Sequence, residues 1–342
     1  KIIERLKVLS TYYKIKDGVP FQKFHNASTW KLDYQEILNE EEINSYLLKP
    51  FNLDYDWLIR FCVFNINKNR QKLVFCLHHT ISDGTSLVQF MDELIIIYNA
   101  LNKNKKINLP TPKIQYSDYS FYQKSLNYED GVKFWKESLL NVDNKVILPM
   151  KQNSSKTLNF SASSVSMVIE KNLMISLNIL RNKHKSTLFN ILLCSISIVL
   201  HKYSLQSNFN IGTVVSTKND HEELKELQGA FVNFLPLPIS IDEKLTLKDF
   251  ITLITNNTIK AMDNSFVPFT KIVQNTEFKN TGVTKNPLYN VILVLHNFLS
   301  KTNIQNEYTL DDNTSLQVEE SENRVSEVDL RFEGYENKSD FI

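Results

Sequence analysis

Cysteine is scarce in this sequence. Three residues, Cys62, Cys76 and Cys194, are odd in number, lie in apolar surroundings and lack metal-ligand spacing, which suits reduced thiols better than a disulfide framework or a zinc site. No apolar run reaches the roughly 18 residues of a membrane span. The longest, around 191–200, is interrupted by serines and reads as a buried helix. Charge of one sign is lacking too: Lys+Arg 39 against Asp+Glu 38 leave +1, so no overall bias toward nucleic acid or an anionic membrane is expected. No secretory signal is expected, because Lys1-Ile-Ile-Glu-Arg-Leu-Lys7 reads as part of a helix. The chain is therefore expected to begin inside a domain and to be cytoplasmic. Neither a short-period repeat nor a G-x-S-x-G nucleophile elbow is present.

What is present is globular. Hydrophobic residues make up 42% and charged residues 23%, which argues against global disorder. At 342 residues the chain exceeds one usual compact core, so two lobes are expected. The polar run 151–161 lacks a periodic apolar face and reads as the linker, giving an N-terminal lobe at 1–155 and a C-terminal lobe at 156–342.

Both lobes read as α/β. In the first, residues 2–13 suggest a helix running into a strand, 16–20 a hairpin turn, and 40–48 a helix. Strands at 58–64 and 72–78 form a hairpin, and helices follow at 116–126 and 130–140. In the second, a strand at 164–169 precedes helices at 171–183 and 186–203. Strands at 209–216 and 231–241 flank a helical 222–227. An amphipathic helix at 246–263, a strand at 289–296 and two segments near 308–318 and 326–332 complete the set.

The stretch with most chemistry is Leu73-Val-Phe-Cys-Leu-His-His-Thr-Ile-Ser-Asp-Gly84. An apolar strand covered on both faces runs into two histidines and an Asp-Gly turn. Neighbours on a strand point opposite ways, so His78 shares a face with Val74 and Cys76, and His79 with Leu73, Phe75 and Leu77. One imidazole is expected to be structural and the other to face a cavity. This divergence argues against joint metal ligation by His78, His79 and Asp83. Leu87, Phe90, Met91, Leu94, Ile95 and Tyr98 recur at helical spacing, so a helix of about four turns leaves the loop. Asp83 is placed to cap it or to hold a cation.

His78-His79-Thr-Ile-Ser-Asp83-Gly84 fits an HHxxxDG motif, and with it the chain resembles a condensation domain of nonribosomal peptide synthetases. Wax-ester synthases and related acyltransferases share that motif, but the further matches are more specific. Pro50-Phe-Asn-Leu through Arg60 resembles the segment before the histidine strand, and Gln115-Tyr-Ser-Asp-Tyr119 with Phe134-Trp135 resembles the YxDFAxW region. Ile211-Gly-Thr-Val-Val-Ser-Thr-Lys218 and Gly229-Ala-Phe-Val-Asn233 resemble the IGxPxANR and GxFVN signatures. Val267-Pro-Phe269 resembles VPFE, and Asn286-Pro-Leu-Tyr-Asn-Val291 through Asn297 resembles NPLFxVxFxxQN.

There are departures. Leu6, Lys7 and Ser10 stand where the RHExLRT motif has His, Glu and Arg, and Thr270 replaces the Glu of VPFE. Lys218 stands where the family usually has an arginine that pairs with the motif aspartate. A lysine is a point donor, so an Asp83–Lys218 pair is less constrained.

The resemblance implies two chloramphenicol-acetyltransferase-like lobes in a V, with a central substrate tunnel and His79 near its middle. It implies amide formation between a donor acyl or peptidyl thioester and an acceptor aminoacyl thioester, both on the phosphopantetheine of carrier proteins. The domain itself binds no cofactor or metal. Its expected partners are an upstream donor carrier, a downstream acceptor carrier and a neighbouring adenylation domain, within a larger synthetase in which it is monomeric. His79 would accept a proton from the amine or orient it, and the backbone N–H at Gly84 would stabilise the oxyanion. His78, Asp83 and Lys218 are expected to be structural. Ser82, Asn233, His296 and Asn297 are expected along the tunnel. Alternatives are an acyltransferase using acyl-CoA or forming esters, an epimerisation domain, and a non-catalytic recruiting member of the family.

Overall fold

A computed structural model describes residues 1–36, 40–67, 70–149, 160–219, 221–276, 286–296, 307–311, 314–317 and 325–335. The expected boundary between 155 and 156, like most of the expected linker, lies outside the described residues. By compactness the chain divides into two units. The first gathers Lys1–Leu126, Lys218–Phe231 and Glu307–Gln317, and the second Asn127–Thr217, Val232–Asn306 and Val318–Ile342.

In chain order the elements begin with α1 (Ile2–Arg5), β1 (Thr11–Lys16), β2 (Val19–Phe24), β3 (Asp33–Glu36) and α2 (Glu40–Leu48). They continue with β4 (Ile59–Asn67), β5 (Arg70–Leu77), α3 (Gly84–Asn102), α4 (Tyr116–Ser125) and α5 (Glu129–Ser138). Next come α6 (Lys171–Lys183), α7 (Leu188–Ser204), β6 (Asn208–Ser216), β7 (Val232–Ser240), α8 (Leu247–Asp263) and α9 (Phe269–Asn275). The last are β8 (Val291–His296), β9 (Glu307–Asp311), β10 (Thr314–Gln317) and β11 (Leu330–Tyr335).

In the first unit β3, β4 and β5 form one sheet, β3 parallel and β5 antiparallel to β4. Alternation along β4 sends Cys62 and Phe64 to one face, where they pack with Val74 and with Ile43 of α2. Phe61 goes to the other face, against Phe75 and Phe90 of α3. The strand entering the histidines is thus held between two helices, as its apolar run requires. β1 and β2 form a separate hairpin closed by Asp17 (φ 52) and Gly18 (φ 75). Two successive positive angles match the twist of a two-residue hairpin, and glycine takes them without steric cost.

In the second unit the sheet order is β11-β8-β6-β7, with β11 and β6 parallel to β8 and β7 antiparallel to β6. Phe250, Ile251 and Ile254 of α8 are buried, whereas Leu247 and Ile259 are exposed. Trp135 of α5 is fully buried and its indole N–H donates to Asn264 O at 3.0 Å. A buried indole is tolerated because its one donor is satisfied.

Several expectations are corrected. The expected strand at 164–169 is not formed; Ser161 makes an isolated bridge to Val325, and Ile169 makes a further isolated bridge. The helix expected at 222–227 is a single 3-10 turn at Glu222–Leu224. α3 runs 19 residues and buries Ser86, Val88, Phe90, Met91, Glu93 and Ile97, while Leu87 and Tyr98 are exposed. α7 is buried along one side only, with Val199 and Tyr203 exposed. Cys62 and Cys194 are buried, and Cys76 is half-buried. Among the described residues no single helix is long and apolar enough to cross a membrane.

Candidate active site

β5 ends at Leu77, and one further rung, His78 N–H to Leu58 O at 2.9 Å, carries the ladder to the first histidine. The chain then turns, with Ile81 N–H donating to His78 O at 3.0 Å. The alternation argument is therefore corrected at its last step, because His79 sits on a turn and not on the strand. The two histidines still part company. His78 is half-buried, its Nδ1 accepts from Thr80 N–H at 3.2 Å and meets Thr80 Oγ1 at 2.9 Å, and Phe51 stands edge-on to the ring. Burial, with the charge of His79 adding to it, holds the His78 pKa below its ordinary value. An Nδ1 that accepts a backbone N–H belongs to the neutral ring. His79 is exposed and makes no hydrogen bond among the described residues.

Asp83 is buried and has both oxygens engaged. Its Oδ1 accepts from Ser86 N–H and from Thr85 Oγ1, both at 2.8 Å, capping α3. Its Oδ2 accepts from Phe231 N–H at 2.8 Å. A carboxylate at a helix N-terminus that also serves a distant backbone donor is a brace. Gly84 follows as the first helical residue, exposed. Ser82 is buried and accepts from Gln228 Nε2 at 3.3 Å.

Lys218 is buried, and its Nζ donates to Gln89 Oε1 at 2.8 Å. It makes no ion pair with Asp83, whose oxygens face Ser86, Thr85 and Phe231. Burial pushes the lysine down to about 8, against the partial support of the Asp83 and Glu93 charges. Glu93, also buried, pairs with Arg5 Nε at 2.9 Å. Sequence reasoning missed Gln89, Glu93 and Gln228. For Gln89 and Glu93 the signal was the polar spacing 86, 89 and 93, three or four apart on one face of α3.

Asn233 and His296, expected along the tunnel, make these contacts within the second unit. Asn233 donates through Nδ2 to Ser265 O and Val267 O at 2.8 and 2.7 Å and accepts from Phe269 N–H at 3.0 Å. Its amide thereby fastens the turn into α9. His296 ends β8 with Nε2 3.3 Å from Glu333 Oε1 and its ring stacked on Tyr335 at 4.6 Å. The His296 bond and the Arg331 guanidinium hold Glu333 down to about 2. Asn297 lies outside the described residues. Among the described residues no cluster of three His, Cys, Asp or Glu is placed to hold a metal ion.

A two-unit α/β chain with a buried aspartate capping the helix after a pair of histidines is the setting of an HHxxxDG protein. The chain belongs to the condensation-domain family of nonribosomal peptide synthetases, whose model matches residues 1–342. It is 29% identical over 305 residues to gramicidin S synthase 2 of Brevibacillus brevis, covering 87% of this chain and 7% of that protein. It is 28% identical over 305 residues to bacitracin synthase 3 of Bacillus licheniformis, covering 87% of this chain and 5% of that protein. The chain thus spans a small fraction of these relatives. Among solved structures, the X-domain from teicoplanin biosynthesis superposes with a TM-score of 0.88 at 18% identity, over 99% of this chain and 77% of that one. A four-domain nonribosomal peptide synthetase bound to AMP and glycine gives 0.79 at 17% identity, over 99% of this chain and 27% of that one.

Proposed function

We propose that the chain forms an amide between a donor acyl or peptidyl thioester and the amine of an acceptor aminoacyl thioester, each delivered on the phosphopantetheine of a carrier protein. The observation that carries this reading is the division of labour at the motif. The His79 imidazole is exposed and uncommitted to any hydrogen bond among the described residues, while Asp83 is fully used in bracing. The amine nitrogen attacks the thioester carbon, the N–C bond forms, and the C–S bond breaks. His79 accepts the proton that the amine gives up and returns one to the departing thiolate, so that amide and thiol result. The N–H of Gly84, at the start of α3, faces the developing oxyanion. A thioester is already activated, so positioning supplies much of the remaining rate.

By this reading the domain binds no cofactor of its own and works in the cytoplasm beside carrier and adenylation domains of a larger synthetase. A second reading is a recruiting member without transfer activity. It is favoured by the likeness to the teicoplanin X-domain, which has been solved in complex with OxyB.

Two carrier proteins loaded with donor and acceptor, mixed with the chain and followed by intact mass, separate these readings. The expected result is a donor-plus-acceptor adduct on the acceptor carrier. With His79→Ala it is expected to fall by ~10²–10⁴-fold, the usual worth of a positioned acid–base group. Transfer only from free acyl-CoA assigns an ester- or CoA-dependent acyltransferase, inversion of the donor without transfer assigns an epimerase, and no reaction assigns the recruiting reading.

A further inference from the structure

Ser86, Gln89 and Glu93 recur at steps of three and four on one face of α3, and Ser82 precedes them on the turn into that helix. That face is lined by the connection from β6 to β7. Gln228 Nε2 reaches Ser82 Oγ, and Ser86 Oγ donates to Gly229 O at 2.9 Å while accepting from Gly229 N–H at 3.3 Å. Gln89 makes the widest grip, since its Oε1 accepts from Lys218 Nζ and its Nε2 donates to Glu226 O at 2.6 Å and to Glu93 Oε1 at 3.3 Å. One amide therefore holds both the start and the middle of the connection. Asp83 holds its end, through Phe231 N–H.

We propose that Gln89 and Lys218 form a latch that seats residues 218–231 on α3 and thereby fixes the turn that carries His79; the pair are positioning residues. Lys218 is only 6% exposed, and an ammonium that far from water must be met by acceptors inside the fold. Replacing Gln89 by an apolar residue leaves it one acceptor short, and Glu226 O loses a donor at the same stroke. The strain falls on the connection, whose far half touches Ser82, Asp83 and Ser86, three to seven residues beyond His79. A shift there moves the turn without unmaking any contact to a substrate.

The inference rests on the reading of His79 as the working residue, so the test has two arms on the full chain. Gln89→Leu, Lys218→Met and Lys218→Arg are compared with wild type by hydrogen exchange and by transfer kinetics between loaded carriers. For Gln89→Leu and Lys218→Met, exchange at 218–231 and at 79–83 is expected to quicken by about tenfold or more, with α8 unchanged. Their kcat is expected to fall by about tenfold to a hundredfold while KM stays within about twofold. Lys218→Arg, which keeps a charged donor for Gln89, is expected to behave as wild type in both arms. Faster exchange confined to 218–231 with kcat unchanged overturns the latch, as does a loss in KM alone, or a Lys218→Arg protein as impaired as Lys218→Met. If wild type transfers nothing, the catalytic reading falls and exchange at 79–83 still decides whether the latch fixes the turn.

Discussion

Asp83 Oδ2 accepts the Phe231 backbone N–H at 2.8 Å across 148 positions of sequence, while Oδ1 of the same carboxylate caps α3. One buried side chain thus fixes the helix that follows the histidine turn and the connection that lies along it. The two bonds use both oxygens, which sets the role of the aspartate apart from that of His79.

Asp83→Ala is expected to lower stability by ~2–4 kcal/mol. Loss of the cap accounts for about 1 kcal/mol, and the Phe231 N–H, orphaned in a buried position, for about 1–3 kcal/mol. Urea unfolding measures it. A loss below ~1 kcal/mol together with abolished transfer would falsify the brace and argue that the carboxylate acts chemically.

The neutral ring of His78 gives a pH dependence of known sign. Its pKa in the folded chain lies below the ordinary value because burial and the His79 charge disfavour the cation. The unfolded chain therefore binds the proton more readily, and the stability due to His78 is present above about pH 6.5 and lost as the pH falls below it. Relative to His78→Asn, wild type is expected to lose stability as the pH falls below about 6.5, at a slope of no more than ~1.4 kcal/mol per pH unit. Parallel unfolding curves for the two proteins over that range count against a neutral, buried His78.

Lys218 titrates the other end of the range. Burial pushes it down to about 8 from its ordinary 10.5, so between those values the unfolded chain holds more protons and stability rises with pH. The difference in stability between wild type and Lys218→Met is expected to move in favour of wild type from about pH 8 to 10. Other buried groups cancel in that difference. A flat difference across the range, measured by chemical denaturation, shows that the ammonium is solvated.

The strand, turn and helix around the histidines were legible because each is a local pattern. Apolar Leu73 to Leu77 gave the strand, Asp83-Gly84 the cap, and Phe90 and Met91 the buried side of α3. The same rule misplaced Leu87 and Tyr98, which are exposed, because it assumes that apolar residues mark the covered face. Part of that face is covered instead by Ser86 and Glu93, whose burial depends on Gly229 and Arg5, far away in sequence. The segment 164–169 failed for a related reason. Alternation makes a strand possible, but a strand needs a continuous partner edge, and this region makes isolated bridges, at Ser161 to Val325 and at Ile169, instead of a ladder. Asn233 and His296 were expected at a substrate and are bonded to Ser265, Val267 and Glu333, partners that no spacing announces.

Gly229 tests how tightly the connection is seated. A Cβ built there strikes the ring of Tyr116. The ring has little room to yield, because its hydroxyl donates to Ala230 O at 2.9 Å and it meets the Phe231 ring in a T-shaped contact with centroids 5.2 Å apart. Gly229→Ala is expected to cost ~1–3 kcal/mol, the usual penalty of an overpacked core. In a Tyr116→Ala background the ring is gone, and the added methyl group occupies the space it leaves. The cost of Gly229→Ala should then shrink by at least ~1 kcal/mol, a coupling that a double-mutant cycle reads directly. Equal costs in the two backgrounds would mean that Gly229 is constrained by its backbone and not by Tyr116. Because Gly229 also exchanges two hydrogen bonds with Ser86, the single variant is expected to lower transfer along with stability, and the double variant to recover part of both.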